Sequence, residues 1–215
     1  DNRHPLNLGL FGYHGGRAAN TSVSEADLLI AVGTRFGDRS TGPLAAFARN
    51  SHVIHIDVDP AEIGKNVPAY LPIVGDIADV LPKLTEHLAS SRYTEEKLRW
   101  TGEVRKHSAE SAYGMYGSGN GASKGAPEPA SGEAKLATPM ILKTAAEYYN
   151  DSILVTDVGR HQIYAARYFP VSAGRTFITS GGLGTMGFGL PAAIGASIGC
   201  PDAHVLLVSG DGSFR

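Results

Sequence analysis

The chain has 215 residues, 42% of them apolar and 19% charged, with a formal net charge of −2. This composition supports a hydrophobic core in one or two domains. With no run of Lys or Arg, it excludes a chain built chiefly to hold nucleic acid. Cys200 is the only cysteine, which excludes an internal disulfide or a Cys-rich metal site and suits a reducing compartment. No apolar stretch reaches membrane-spanning length. No signal peptide is read. The chain starts inside a pattern, Asp1-Asn-Arg-His-Pro-Leu-Asn-Leu-Gly9, so its true N-terminus is expected to be missing.

Residues 1–92 alternate strand and helix. Before the first strand comes a glycine-rich approach loop, Gly12-Tyr-His-Gly-Gly-Arg-Ala-Ala-Asn20. Strands are expected at Asp27–Gly33, His52–Val58 and Leu71–Gly75, and a short helix at Pro43–Ala48. Asp59 and Pro60 read as the N-cap and first position of a second short helix, reaching Gly64. Asp76 caps a longer helix, whose Ile77, Val80, Leu81, Leu84 and Leu88 share one face. Strands separated by helices predict a parallel α/β sheet, with ligands at the carboxyl ends of its strands.

Two such ends carry polar groups: Gly33-Thr-Arg-Phe-Gly-Asp-Arg39 and Asp57-Val-Asp59. The loop before them does not match G-x-G-x-x-G. From the residues alone, these ends read equally as a nucleotide site or as ordinary turns. His52 and His55 alternate with apolar residues, so one of them is expected to pack on a sheet face.

Residues 93–112 read as a polar surface helix with Trp100 as a packing anchor, and residues 113–137 as a flexible Gly/Ser/Pro-rich linker. A second α/β unit is expected over residues 138–215. Thr138 and Pro139 start a helix, Ser152–Thr156 is a buried strand, and a helix follows from about His161 to Tyr168. Thr176–Ile178 is a short strand, Thr185–Gly199 a small-residue helix, and Val205–Val208 a strand covered on both faces. That last strand runs into Gly210-Asp-Gly-Ser213. A carboxylate flanked by glycines there reads either as a turn or as half of a Mg²⁺-diphosphate anchor.

The run Ser180-Gly-Gly-Leu-Gly-Thr-Met-Gly-Phe-Gly-Leu-Pro-Ala-Ala-Ile-Gly-Ala196, followed by Gly210-Asp-Gly-Ser213, resembles the thiamine-diphosphate domain of acetolactate synthase catalytic subunits. Thr156-Asp-Val-Gly-Arg-His-Gln162 is similar to that domain's first phosphate-side loop. Three earlier stretches, His14–Asn20, Ala31–Arg39 and His55–Gly64, resemble the FAD-binding middle domain of the same family. The resemblance implies two parallel-sheet α/β units: the C-terminal part of a middle domain over residues 1–92 and a truncated thiamine-diphosphate domain over residues 138–215.

At matching positions the family implies that Gly12, Tyr13 and His14 line a flavin, and that Gly33, Arg35 and Arg39 hold its diphosphate side. Asp57, Glu62 and Asp76 would meet its ribose and adenine end. Val158, Gly159, Arg160 and His161 would lie near the thiamine diphosphate, with Gly184 and Met186 along the thiamine. Asp211 would coordinate Mg²⁺ within Gly210, Gly212 and Ser213. Two departures stand out: Gly37 where the family usually has aspartate, and Arg160 where it usually has glutamine.

The implied reaction is the decarboxylative condensation of pyruvate with a second 2-oxoacid, pyruvate or 2-oxobutanoate, in branched-chain amino-acid synthesis. A homodimer or homotetramer, a possible small regulatory subunit, a mainly structural FAD and, for a bacterial protein, a cytoplasmic location are further implications. The glutamate that activates the cofactor and the asparagine that completes the Mg²⁺ site are expected outside these residues. The 215 residues alone are therefore expected to be inactive. Another thiamine-diphosphate enzyme, of pyruvate oxidase or glyoxylate carboligase type, and a non-catalytic nucleotide-binding remnant are the alternatives.

Overall fold

The computed structural model describes residues 4, 6–91, 94–116, 138–149, 151–171, 174 and 176–214. They divide into two compact units, Leu10–Tyr116 and the remainder. Each holds a small parallel sheet with helices, so the chain is α/β.

In the first unit the order is α1 (Arg17–Glu25), β1 (Leu28–Val32), α2 (Asp38–Thr41), β2 (His52–Asp57), β3 (Leu71–Val74), α3 (Ile77–Ala89) and α4 (Glu95–Tyr116). The strands pair in sequence order, β1-β2-β3, all parallel. Ala31, Phe36, Val53 and Val67 form the core, with Leu29 and Phe47 packed against it. His55 is fully buried, which meets the expectation of one histidine on a sheet face. Its Nδ1 accepts from the Gly64 amide at 3.4 Å and its Nε2 lies 3.0 Å from the Thr34 carbonyl. An acceptor at one nitrogen and a donor at the other define the neutral Nε2–H form. The imidazole thereby ties the loop after β1 to the loop after β2.

Three local expectations change here. The glycine-rich approach loop turns into α1, whose Ala18, Ala19 and Ser22 are buried and which packs against α4. The helix expected over Pro43–Ala48 is a single 3₁₀ turn, Leu44–Ala46. Between Asp59 and Gly64 there are successive turns and no helix. Asp59 Oδ1 accepts from the Ala61 amide at 2.9 Å, so the capping bond forms without a helix behind it. Asp76 caps α3 as expected, accepting from the Ala78 amide at 2.8 Å. α4 runs on through Tyr116, and the rest of the expected linker lies outside the described residues.

In the second unit α5 (Thr138–Tyr148) precedes β4 (Ile153–Thr156), α6 (Arg160–Tyr168), β5 (Phe177–Thr179), α7 (Gly189–Gly199) and β6 (Val205–Val208). The sheet order is β5-β4-β6, all parallel. β4 is central and every one of its residues is buried. Leu154 faces Leu142, Ala146, Ala165 and Phe169 of α5 and α6 and the residue after α6, while Ile153 and Val155 face Ala193 of α7. The chain leaves β4 towards β5 on one side and returns to β6 on the other. In such sheets the crevice outside the strands' carboxyl ends, where the order reverses, is where ligands bind. β6 was expected to be covered on both faces, but at the edge of the described sheet it is half-buried. The helix expected from Thr185 begins only at Gly189, because a carboxylate from β4's end holds the preceding loop away from helical pairing.

Candidate active site

The second unit brings its candidate residues together around the carboxyl ends of β4 and β6. The His161 ring lies against two glycines. A Cβ on Gly159 would come within 3.0 Å of His161 Cε1, and one on Gly210 within 3.3 Å. Neither position admits a larger residue without moving the imidazole. His161 Nε2 is buried and has no partner. Gly159, at φ 152°, caps α6 with no side-chain hydrogen bond, so the first-turn amides of α6 are not closed by a side chain at that position. In its N–H form, a buried imidazole nitrogen without a partner beside a helix start supplies donors that suit an anion.

The neighbouring loop is built on Ser180. Its carbonyl accepts from the Gly184 amide and its hydroxyl from the Thr185 amide, both at 3.0 Å. Gly184, at φ 65°, lies beside Val158, whose Cγ1 is 3.8 Å from the site of an added Cβ. Met186 is 62% exposed, and its Cε lies 3.5 Å from the place of a Cβ on Gly212. Asp211 is exposed and opens the 3₁₀ turn Asp211–Ser213. Among the described residues no group of three or more His, Cys, Asp or Glu gathers as a metal cage. A carboxylate in a strand-end loop is a group that Mg²⁺ sites in general use together with phosphates and water. Arg160 points along its helix, where Nη2 donates to the Tyr164 hydroxyl at 3.5 Å.

The sequence reading left Asp157 out of the site. It is fully buried. Oδ1 accepts from the amides of Val158 at 2.7 Å and Gly187 at 3.1 Å, and Oδ2 from Gly189 at 2.7 Å. Burial pushes its carboxyl up. The amides of Gly189 and Val158, the Ser213 side chain and the Gly187 amide outweigh that and hold it at about 2. The available signal was a carboxylate directly after an apolar strand, followed by a glycine-rich loop with many free amides. Beside it, Thr156 Oγ1 and Gln162 Nε2 both donate to Thr179 Oγ1 at 2.7 Å, joining β4, α6 and β5.

In the first unit the candidates fall into two groups. Gly12, Tyr13 and Arg39 line an open cleft of about 560 Å³, with Asn20, Phe47 and Ser40 among its other walls. Asn20 clasps Gly12 both ways, accepting from its amide at 2.7 Å and donating to its carbonyl at 3.0 Å. A Cβ on Gly12 would fall 2.4 Å from the Arg39 carbonyl oxygen, so only glycine fits there. The Tyr13 amide donates to that same carbonyl at 2.7 Å, and the His14 ring meets Tyr13 edge-on. Asn20 was not singled out in the sequence.

Gly33, Arg35, Asp57, Glu62 and Asp76 are not among the cleft's lining residues. Gly33, Asp57 and Asp76 stand at or just beyond the carboxyl ends of β1, β2 and β3. The Arg35 carbonyl accepts from Asn66 at 2.8 Å, while Asp57 Oδ1 accepts from the Asp59 amide at 2.9 Å. Glu62 pairs with Lys65 at 3.1 Å through one oxygen, and its other oxygen is buried without a partner.

Two family profiles match this chain. One, described as "Thiamine pyrophosphate enzyme, central domain", covers residues 1–84; the other, "Thiamine pyrophosphate enzyme, C-terminal TPP binding domain", covers residues 157–215. The chain belongs to the thiamine pyrophosphate enzymes. Among the relatives of this family member is the "Probable acetolactate synthase large subunit" of Methanocaldococcus jannaschii, 42% identical over 98% of the chain and 34% of the relative. The "Acetolactate synthase large subunit" of Porphyra purpurea is 42% identical over 97% of the chain and 33% of the relative. The "Acetolactate synthase isozyme 2 large subunit" of Escherichia coli K12 is 40% identical over 98% and 35%. The chain of this thiamine pyrophosphate enzyme thus spans about a third of the length of the relatives it matches.

Proposed function

We propose that the intact protein is an acetolactate synthase, condensing pyruvate with a second 2-oxoacid, pyruvate or 2-oxobutanoate, with loss of CO₂. What carries this reading is about 40% identity, maintained over nearly the whole chain, to large subunits of that enzyme from several organisms. Thiamine diphosphate, when bound, supplies the electron sink that decarboxylation and carbon–carbon bond formation require. The chain's residues then bind and orient. The start of α6 and His161 Nε2 receive the diphosphate oxygens, and Asp211 takes the Mg²⁺ that neutralises them. Met186, standing over Gly212, presents an apolar surface to the rings. Arg160 replaces a neutral side chain with a permanent cation at the same helix start.

FAD is proposed for the first unit. The cleft beside Gly12, Tyr13 and Arg39 and the buried free oxygen of Glu62 support it. Assembly as a homodimer or homotetramer, with a small regulatory subunit, belongs to the same proposal; relatives named "large subunit" support the second partner.

The test is acetolactate formation from pyruvate by the intact protein with thiamine diphosphate, Mg²⁺ and FAD, beside Asp211→Asn. Acetolactate from the parent, lost or made dependent on far more Mg²⁺ in the variant, is the expected result. Pyruvate consumed without acetolactate would point to an oxidase or decarboxylase of the same family. No consumption by the intact protein would overturn the activity.

A further inference from the structure

Among the described residues Asp157 is the only fully buried carboxylate. Three backbone amides converge on it, those of Val158 at 2.7 Å, Gly187 at 3.1 Å and Gly189 at 2.7 Å. These amides take three of a carboxylate's roughly four acceptor positions, and full burial keeps the group away from solvent. Its remaining capacity is geometric. Its carboxylate joins the end of β4 to the glycine-rich loop carrying Met186, and its own amide donates to the Val208 carbonyl at the end of β6 at 3.0 Å.

We infer that Asp157 is a positioning residue, whose carboxylate fixes the Met186 loop at the ends of β4 and β6, so that Met186 meets the turn at Gly212 before any cofactor arrives. The inference rests on the thiamine diphosphate reading above. It also assigns the anion sites. Gly189 is the first residue of α7, and its amide is taken by Asp157 at 2.7 Å. The positive end of α7 is therefore occupied by the protein's own anion, and a cofactor phosphate is directed to the start of α6.

Asp157→Asn keeps the shape and tests the charge. Whichever way the amide turns, its N–H₂ faces at least one backbone N–H, because Val158 and Gly187 meet one oxygen and Gly189 the other. Calorimetric titration of the intact protein with thiamine diphosphate and Mg²⁺ is expected to show Kd raised about tenfold or more in the variant. FAD content and the KM for pyruvate at saturating cofactor should stay as in the parent, a separation that general destabilisation would not give. A folded variant with parental Kd overturns the inference and leaves the function reading intact. A parent that fails to bind thiamine diphosphate overturns both. Should the variant not fold, amide exchange on the cofactor-free parent decides. The Gly187 and Gly189 amides are expected to be protected on the order of 100-fold over free peptide. Protection that appears only after cofactor is added overturns the inference.

Discussion

Gly189 and Asp157 are 32 residues apart in sequence and 2.7 Å apart in space, amide to carboxylate. Their approach leaves no room for a side chain on the glycine: an added Cβ would lie 2.9 Å from Asp157 Cβ and 3.0 Å from both its amide nitrogen and Oδ2. Two of those atoms belong to a buried strand end and cannot swing away. Gly189→Ala is therefore expected to cost about 1–3 kcal/mol in overpacking. A lowered thermal midpoint of the intact protein would show it; an unchanged midpoint would mean that the loop gives way freely.

The Asp157 carboxyl, held at about 2 against an ordinary 3.8, makes stability depend on acid. The folded-state value is the lower one, so its contribution is fully present above about pH 4 and is lost as the pH falls towards 2. One such proton changes stability by at most about 1.4 kcal/mol per pH unit. Urea unfolding at pH 5, 4 and 3 should show the parent losing stability faster than Asp157→Asn. Parallel losses would assign the acid sensitivity to other groups.

Removal of the α3 cap has a smaller effect. Asp76→Ala leaves the Ala78 amide without its 2.8 Å acceptor and is expected to cost about 1 kcal/mol. Asp76→Asn should recover most of it, since the amide oxygen can still accept. If both variants lose equally, charge rather than capping is what matters at this position.

Leu154 is fully buried between α5 and α6, whereas Ile198 on α7 is 77% exposed. Leu154→Ala is expected to cost about 2–5 kcal/mol and Ile198→Ala far less. Equal losses, measured by denaturant unfolding, would mean that Ile198 is covered in the intact protein.

Asp211 is exposed and makes no side-chain hydrogen bond on which the described fold depends. Asp211→Asn should therefore leave the metal-free thermal midpoint within about 1 °C of the parent, in keeping with the small effects of surface substitutions. It should at the same time remove the stabilisation that Mg²⁺ and thiamine diphosphate give together. Equal stabilisation of both proteins would place the metal elsewhere.

What could be read in advance was whatever local chemistry decides. Asp76 followed by an amphipathic run gave its helix, and uninterrupted apolar runs such as Ile153–Val155 gave parallel strands. What could not be read was set by partners distant in sequence. Arg17–Glu25 has few apolar residues and becomes a helix because Ala18, Ala19 and Ser22 pack inwards and α4 lies against it. Residues 185–188 lead straight into the small-residue run of α7 without a break in the sequence, yet Asp157 takes the Gly187 amide. In the site, glycines and the exposed Asp211 carried a legible pattern. Asp157 and Asn20 did not, since their roles consist of holding amides that the sequence does not place next to them.

The two sheets also differ in how they can form. In β1-β2-β3 each strand adds to the one made just before it, so the sheet can grow as the chain emerges from the ribosome. In β5-β4-β6 the first strand made is the central one, and each of its edges waits for its own crossover to close. Pairings between residues far apart in sequence form slowly, because loop entropy is lost before contacts are gained. The Ile153-Leu-Val-Thr156 segment, buried in full at the end, thus keeps one edge uncovered until β6 has been made. It marks where a chaperone would bind the nascent protein and where a stalled or truncated chain would begin to aggregate.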